Sequence, residues 1–131
     1  MNLVDSCGWL EYLADGRNAE FYAQALENEG QLVVPVICIY EVFKKVLKER
    51  GEDQALQAAA LMHRGLVAEL DAGLAMEAAR LGQLHKLPLA DSLVLATARK
   101  YKAKLWTQDA HFKGLDGVRF AGKNKGAAKT P

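Results

Sequence analysis

LWTQD at residues 105–109 is a short apolar run that ends in a carboxylate, the pattern of a strand that delivers an acid to the edge of a sheet. The same pattern opens the chain as LVD at 3–5, and a third apolar run, LVVP, lies at 32–35. Helical apolar spacing between these runs is typical of a parallel α/β sheet. Ligands of such sheets bind beyond the carboxyl ends of the strands. We therefore expect these acids to meet at one edge.

The predicted elements alternate along the chain. We expect strands at 2–5, 31–35, 104–107 and 118–120, a weaker strand at 66–70, and helices at 6–14, up to about 29, 37–50, 52–63, 72–86 and 89–103. Ser6 is the expected N-cap of the first helix, and Asp15-Gly16 the expected break after it. Gly30 is the expected residue after the second helix, and Gly51 is expected to end the third.

The composition predicts one globular domain at 1–121 and a basic, flexible tail at 122–131. Three of the 17 basic residues lie in the tail, which has no acid, so the rest of the chain is slightly acidic. This balance argues against a strongly basic nucleic-acid-binding body, whereas the tail is either a source of phosphate contacts or a solvated terminus. Without an apolar run of membrane-spanning length or a signal sequence, we expect a cytoplasmic protein with no membrane association. Cys7 and Cys38 are expected to be buried free thiols.

Asp91 carries the strongest functional signal among the acids. It shares a helical stripe with Val94 and Leu95, so its side chain is expected on the buried face, with Arg99 and Lys100 pointing away. A buried carboxylate needs a cation or dense hydrogen bonding. The alternative is an acid that only stabilises the helix N-terminus.

Three further acids complete the candidate set, each with an ordinary alternative. Glu41 lies in the helix after LVVP, where an ion pair with Lys44 or Lys45 would also explain it. Asp5 and Asp109 follow apolar runs, where helix capping would explain either of them. If all four carboxylates converge at one sheet edge, they repel one another unless divalent cations hold them.

The chain resembles the PIN-domain ribonucleases, specifically the small VapC toxins of bacterial and archaeal VapBC toxin–antitoxin pairs. The resemblance rests on NLVDS at the start, the Glu of PVICIYEVFKK, PLADSLVLATARKY and LWTQDAHF, and it covers Asn2 to about Phe120. It implies a PIN-like three-layer α/β fold, with a central parallel β-sheet flanked by helices. The implied acidic cluster consists of Asp5, Glu41, Asp91 and Asp109, binds Mg²⁺ or Mn²⁺ and cleaves single-stranded RNA. The resemblance further implies a homodimer that is inhibited by a cognate antitoxin protein.

The predicted mechanism is hydrolysis of a phosphodiester by water that a divalent cation activates. Asp5, Asp91 and Asp109 are the expected metal ligands, and Glu41 binds a second metal or orients water. Ser6 and Thr107 are expected to support this cluster, Thr107 by orienting a carboxylate. Attack by water predicts 5′-phosphate and 3′-hydroxyl ends.

The sequence is less informative about RNA contacts. Lys44, Lys45 and Lys48 follow Glu41 along one helix and are candidates to line a groove that leads to the metals. His63, His85 and His111 are widely separated, which argues against a metal-free histidine mechanism, although His111 lies near enough to Asp109 to touch substrate.

Four alternatives compete with a toxin nuclease. A PIN-domain nuclease of ribosomal RNA maturation is the closest alternative. An incomplete set of acids would favour a catalytically idle RNA- or protein-binding module, but all four positions are filled. A dehalogenase-type phosphatase would need a second Asp two residues after Asp5, where Cys7 stands. A response-regulator receiver would need acids ahead of Asp5, where the chain reads MNLV.

Overall fold

A computed structural model describes residues 1–122 of the chain. Its centre is one sheet of five parallel strands in the order β3-β2-β1-β4-β5. The strands are β1 (Asn2–Val4), β2 (Leu32–Pro35), β3 (Leu66–Ala68), β4 (Lys104–Thr107) and β5 (Val118–Phe120). The strand order reverses between β1 and β4, which is the switch point where parallel sheets bind ligands. The predicted α/β class is confirmed.

Six helices flank the sheet. They are α1 (Ser6–Leu13), α2 (Ala19–Leu26), α3 (Val36–Arg50), α4 (Glu52–Met62), α5 (Ala72–His85) and α6 (Leu89–Lys100), with short 3₁₀ helices at Glu29–Gln31 and Ala110–Phe112. The predicted alternation of strands and helices is thus confirmed, including the weak strand β3. Asp15 and Gly51 adopt positive φ angles of 53° and 89°, which explains why α1 and α3 end where predicted.

The core lies on both sides of the central strands. Leu3, Val33 and Leu105 are at most 1% exposed, as expected for strands covered on both faces. Trp9, Tyr22 and Phe112 are the largest fully buried side chains. The helices are therefore anchored to the sheet by aromatic packing, which fixes where the strand ends point.

Two helices end earlier than predicted, and neither ends at a glycine. Helix α2 ends at Leu26, and the N–H of Glu27 bonds back to Ala23, so Gly30 lies in a 3₁₀ helix instead of capping α2. Helix α6 ends at Lys100, where Lys102 adopts a left-handed φ of 52° and the N–H of Ala103 bonds to the carbonyl of Ala98. A left-handed lysine terminates this helix as glycine usually does.

Helix α6 is more deeply buried than a one-sided apolar stripe would be. Every residue from Ser92 to Ala98 is buried, because α6 packs against α5 and α3 as well as β2 and β4. Arg99 and Lys100 are exposed as predicted. Asp91 therefore lies in the first turn of a helix whose following residues are buried.

The two ends of the described chain lie at opposite edges of the sheet. The carbonyl of Met1 accepts a hydrogen bond from Lys104, the first residue of β4, whereas the carbonyl of Gly122 accepts one from Asn18 Nδ2, just beyond β5. The predicted flexible tail, from residue 123 onward, lies outside the described residues, and the domain boundary at 121 stays a prediction. Within residues 1–122, no helix is both long and apolar enough to cross a membrane.

Candidate metal centre

Asp5 lies where β1 becomes α1 and is only 4% exposed. Its Oδ1 accepts a hydrogen bond of 2.8 Å from the backbone N–H of Ser6, and its Oδ2 accepts one of 3.0 Å from the Thr107 hydroxyl. Burial raises its pKa to about 6, against the lowering effect of these two hydrogen bonds. Asp5 is thus fixed in position from two neighbouring strands and costly to ionise without a cation.

The prediction that Ser6 caps α1 is wrong. Asp5 occupies the N-cap position with an extended backbone, and Ser6 is the first helical residue. The Ser6 hydroxyl instead donates a hydrogen bond of 2.8 Å to Glu41 Oε1. Glu41 forms no ion pair with Lys44 or Lys45 among the described residues. Lys45 pairs with Glu49 at 2.8 Å, and Lys44 lies over the ring of Tyr40. Glu41 is therefore directed towards Asp5 and the start of α1.

Asp91 stands in the first turn of α6, with a side chain that is 14% exposed. Its Oδ2 lies 2.8 Å from Nδ1 of His111. Burial raises the pKa of Asp91 to about 6, and the charges of Asp109 and Asp5 contribute, while the hydrogen bond from His111 opposes the rise. The same hydrogen bond raises the pKa of His111.

Asp109 follows β4 and caps the second 3₁₀ helix by accepting a hydrogen bond of 2.9 Å from the N–H of His111. Its own N–H donates to the Thr107 hydroxyl oxygen at 2.9 Å. Thr107 is fully buried and therefore connects Asp109 to Asp5 through one hydroxyl group. Capping and clustering, which the sequence presented as alternatives for Asp109, occur together.

The four acids fall into two adjacent groups at the carboxyl edge of the sheet. Donor atoms of Asp91, Asp109 and His111 lie within 4.8 Å of one another, and so do those of Asp5, Glu41 and Cys38. The charge of Asp109 contributes to the raised pKa of both Asp5 and Asp91, which connects the two groups.

The donor chemistry of this edge fits a divalent cation. Carboxylate oxygens are the ligands that hard divalent ions prefer, and a cation would relieve the mutual repulsion that helps raise the pKa of Asp5 and Asp91. Cys38 fits less well, because burial raises its pKa far above the ordinary value and keeps the thiol protonated.

His111 is the neighbour whose place in the cluster the sequence did not reveal. Its contact with Asp91 spans 20 residues, which no local pattern shows. Its position two residues after Asp109, in a turn that folds back on that acid, is the signal that was available.

The candidate RNA-binding lysines all lie on the exposed surface of α3. Lys44 lies 5.5 Å from the ring centre of Tyr40, Lys45 is paired with Glu49, and Lys48 is exposed. A second basic group, Arg99, Lys102 and Lys104, surrounds a separate cavity at the amino edge of the sheet.

A groove of about 600 Å³ runs between α1, α3 and α4 and ends beside the acidic cluster. Cys7 and Gln108, the neighbours of Asp5 and Asp109 in the structure, line its inner end. Leu10, Val46 and Leu61 line its apolar part. Charged side chains, among them Glu11, Lys45 and Arg50, line the rest, so the groove is a mixed surface whose end at Cys7 and Gln108 lies next to the acids.

The family model for the PIN domain matches residues 3–118, and the chain therefore belongs to the PIN domain family. No curated protein matches the sequence. A toxin–antitoxin complex from Klebsiella pneumoniae contains a chain of similar structure, with a TM-score of 0.75 and 27% sequence identity over 91% of this chain and 96% of that one.

Two more distant structures share the fold. VapBC2 from Rickettsia felis, bound to a DNA fragment from its promoter, aligns with a TM-score of 0.70 and 13% identity over 92% of this chain and 97% of that one. VapC20 from Mycobacterium tuberculosis, described as a Sarcin-Ricin loop cleaving toxin, aligns with a TM-score of 0.68 and 15% identity over 98% and 95%. The PIN-like fold predicted from the sequence is confirmed.

Proposed function

We propose that this chain is a metal-dependent endoribonuclease of the VapC type, the toxin of a toxin–antitoxin pair. The observation that carries the proposal is that Asp5, Glu41, Asp91 and Asp109 lie in two adjacent groups at the carboxyl edge of a PIN fold. Asp5, Asp91 and Asp109 are proposed to hold Mg²⁺ or Mn²⁺, and all four acids to be catalytic. The proposed location of the protein is the cytoplasm, where RNA substrates are present.

A cation held by Asp5, Asp91 and Asp109 would activate water and neutralise charge on the phosphoryl oxygens. This chain's residues hold and orient the participants. Thr107 fixes Oδ2 of Asp5, and Ser6 fixes Oε1 of Glu41, so that each acid is presented in one direction. Glu41 is proposed to bind a second metal ion or to orient the attacking water. Such attack leaves 5′-phosphate and 3′-hydroxyl ends.

The proposed protein partner is a cognate antitoxin. The chain in the Klebsiella pneumoniae structure belongs to a toxin–antitoxin complex, and the fold is shared with VapBC2. The groove between α1, α3 and α4 combines apolar and charged side chains and reaches Cys7 and Gln108, next to the acids, so a segment bound there would also obstruct the RNA. Exposed apolar side chains such as Tyr40, Leu84 and Leu89 are consistent with the proposed homodimer.

Mapping of new 5′-phosphate RNA ends after induction in a bacterium tests the proposal. We expect ends at a few defined sites with the wild-type chain and none with the Asp5→Asn variant, which retains the size of the side chain and removes its charge. Identical maps from the two proteins, at equal expression, would instead favour a catalytically idle binding module. If a short reading frame lies beside the gene and encodes the antitoxin, its co-expression should suppress the ends.

A further inference from the structure

His111 extends the cluster of carboxylates at the sheet edge with a nitrogen donor. Its Nδ1 lies 2.8 Å from Asp91 Oδ2 and 3.1 Å from Asp109 Oδ1. The imidazole is thus placed against the two carboxylates that, on the proposed function, share the cation.

The position of this imidazole is determined by the backbone and not by chance contact at the surface. The N–H of His111 donates a hydrogen bond of 2.9 Å to Asp109, and the next residue, Phe112, is fully buried in the core. The side chain itself is 55% exposed, so an ion or a substrate can reach it. The turn at Ala110–Phe112 therefore holds His111 over the acids while leaving one side open.

The distances fit neighbouring ligands of one metal ion. Adjacent ligands of an octahedral ion with bonds of about 2.1 Å are separated by roughly 3 Å. The two observed separations between nitrogen and oxygen, 2.8 and 3.1 Å, lie on either side of that value. The donor atoms of all three residues lie within 4.8 Å of one another. Once the proton of Nδ1 is released or carried on Nε2 instead, they can bind one ion without rearrangement of the turn.

We propose that His111 is a nitrogen ligand of the cation at Asp91 and Asp109, and that it makes this site prefer Mn²⁺ over Mg²⁺. The inference rests on the proposed function and adds to it a ligand and a metal preference. Mg²⁺ favours all-oxygen surroundings with retained water, whereas transition metals bind imidazole nitrogen more readily. Mn²⁺ accepts carboxylates as Mg²⁺ does, and it gains from the additional nitrogen.

Calorimetric titration of the full chain with MnCl₂ and MgCl₂ measures this preference without RNA. We expect His111→Ala to weaken Mn²⁺ binding by about tenfold or more and Mg²⁺ binding by less than about threefold. His63→Ala is the matched control, because His63 is exposed at the end of α4 and bonds only the backbone carbonyl of Ala59 among the described residues. That control should leave both affinities unchanged.

Pulsed electron paramagnetic resonance of bound Mn²⁺ reports the ligand directly. The wild-type chain should show coupling to an imidazole nitrogen, and His111→Ala should lose it. Absence of this coupling in the wild type, or an equal loss of both metals in the variant, would overturn the role of His111.

The Asp91→Asn variant separates failure of this inference from failure of the proposed function. If the wild-type chain cuts RNA and Asp91→Asn does not, while no nitrogen coupling is found, only the histidine ligand is rejected. If Asp91→Asn binds Mn²⁺ as tightly as the wild type, the acidic cluster is not the metal site, and the function proposed for it fails as well.

Discussion

Thr107 and Asp5 are 102 positions apart in the chain, and the hydroxyl of Thr107 donates a hydrogen bond of 3.0 Å to Asp5 Oδ2. The same hydroxyl oxygen accepts a hydrogen bond from the N–H of Asp109. One buried side chain therefore aligns two acids that come from different strands, and it connects them without contributing a charge of its own.

Replacement of Thr107 by Val should lower RNA cleavage by about 10- to 100-fold, the usual loss when a group that orients a metal ligand is removed. Val matches the shape of Thr but leaves the N–H of Asp109 without its acceptor and Asp5 Oδ2 with only the Cys7 thiol, at 3.5 Å, as a donor. Initial rates of RNA cleavage at saturating Mn²⁺ measure the effect. Thr107→Ser keeps the hydroxyl and should stay within about threefold of the wild type; equal losses in the two variants would show that packing, and not the hydroxyl, matters.

The metal-free protein should become less stable as the pH rises from about 4 to about 7. The pKa of Asp5 is about 6 in the folded protein against an ordinary value of 3.8, so between these values the folded state binds a proton that the unfolded state has released. The raised pKa values of Asp91 and His111 act in the same direction. For Asp5 alone, the loss is about 2–3 kcal/mol at pH 7.

Urea unfolding of the Asp5→Asn variant at several pH values, with a chelator present to remove metal ions, tests this pH dependence. The variant has no charge to desolvate at position 5, so its free energy of unfolding should depend less steeply on pH and exceed that of the wild type at pH 7. A pH profile identical to that of the wild type would show that Asp5 ionises at its ordinary pKa. Addition of Mn²⁺ should stabilise the wild type more than the variant.

Gly8→Ala should destabilise the domain by about 1–3 kcal/mol, the usual cost of overpacking a core. A Cβ atom at position 8 would lie 2.5 Å from the buried Tyr22 ring and 2.6 Å from Val4 Cγ1. Gly30→Ala is the matched control, because its Cβ would meet nothing within 4 Å. Urea unfolding of the two variants should therefore separate them, and similar free energies would refute the close approach of α1 to α2.

Lys44→Gln combined with Lys48→Gln should weaken RNA binding and its dependence on salt. If each lysine neutralises one phosphate, the slope of log affinity against log salt should fall by about 0.7 for each, or about 1.4 in total. Fluorescence anisotropy of labelled RNA, with a chelator present to remove metal ions, measures binding without cleavage. The control is Lys102→Gln combined with Lys104→Gln at the amino edge of the sheet, and an equal fall in this control would exclude a path along α3.

The sequence was sufficient for the elements of this fold because they depend on local patterns. Short apolar runs and helical spacing predict the strands and helices, and the rule for parallel sheets predicts that acids after the strands converge. The connections within the cluster depend on contacts between distant residues. The bond from Ser6 to Glu41 spans 35 positions, so the sequence allowed either Asp5 or Ser6 to cap α1. Likewise, Lys102 ends α6 in a conformation that its residue type does not indicate.

The opposite placement of Met1 and Gly122 gives the molecule a preferred direction for attachment. The backbone of Met1 is bonded at the amino edge, whereas Gly122 leaves the sheet near Gln108, which also accepts a hydrogen bond from Asn18. A label or solid support joined through Met1 would face away from the acids and leave them open to solution. A bulky fusion after Gly122 would begin beside them, so the orientation of an affinity tag becomes part of any binding measurement.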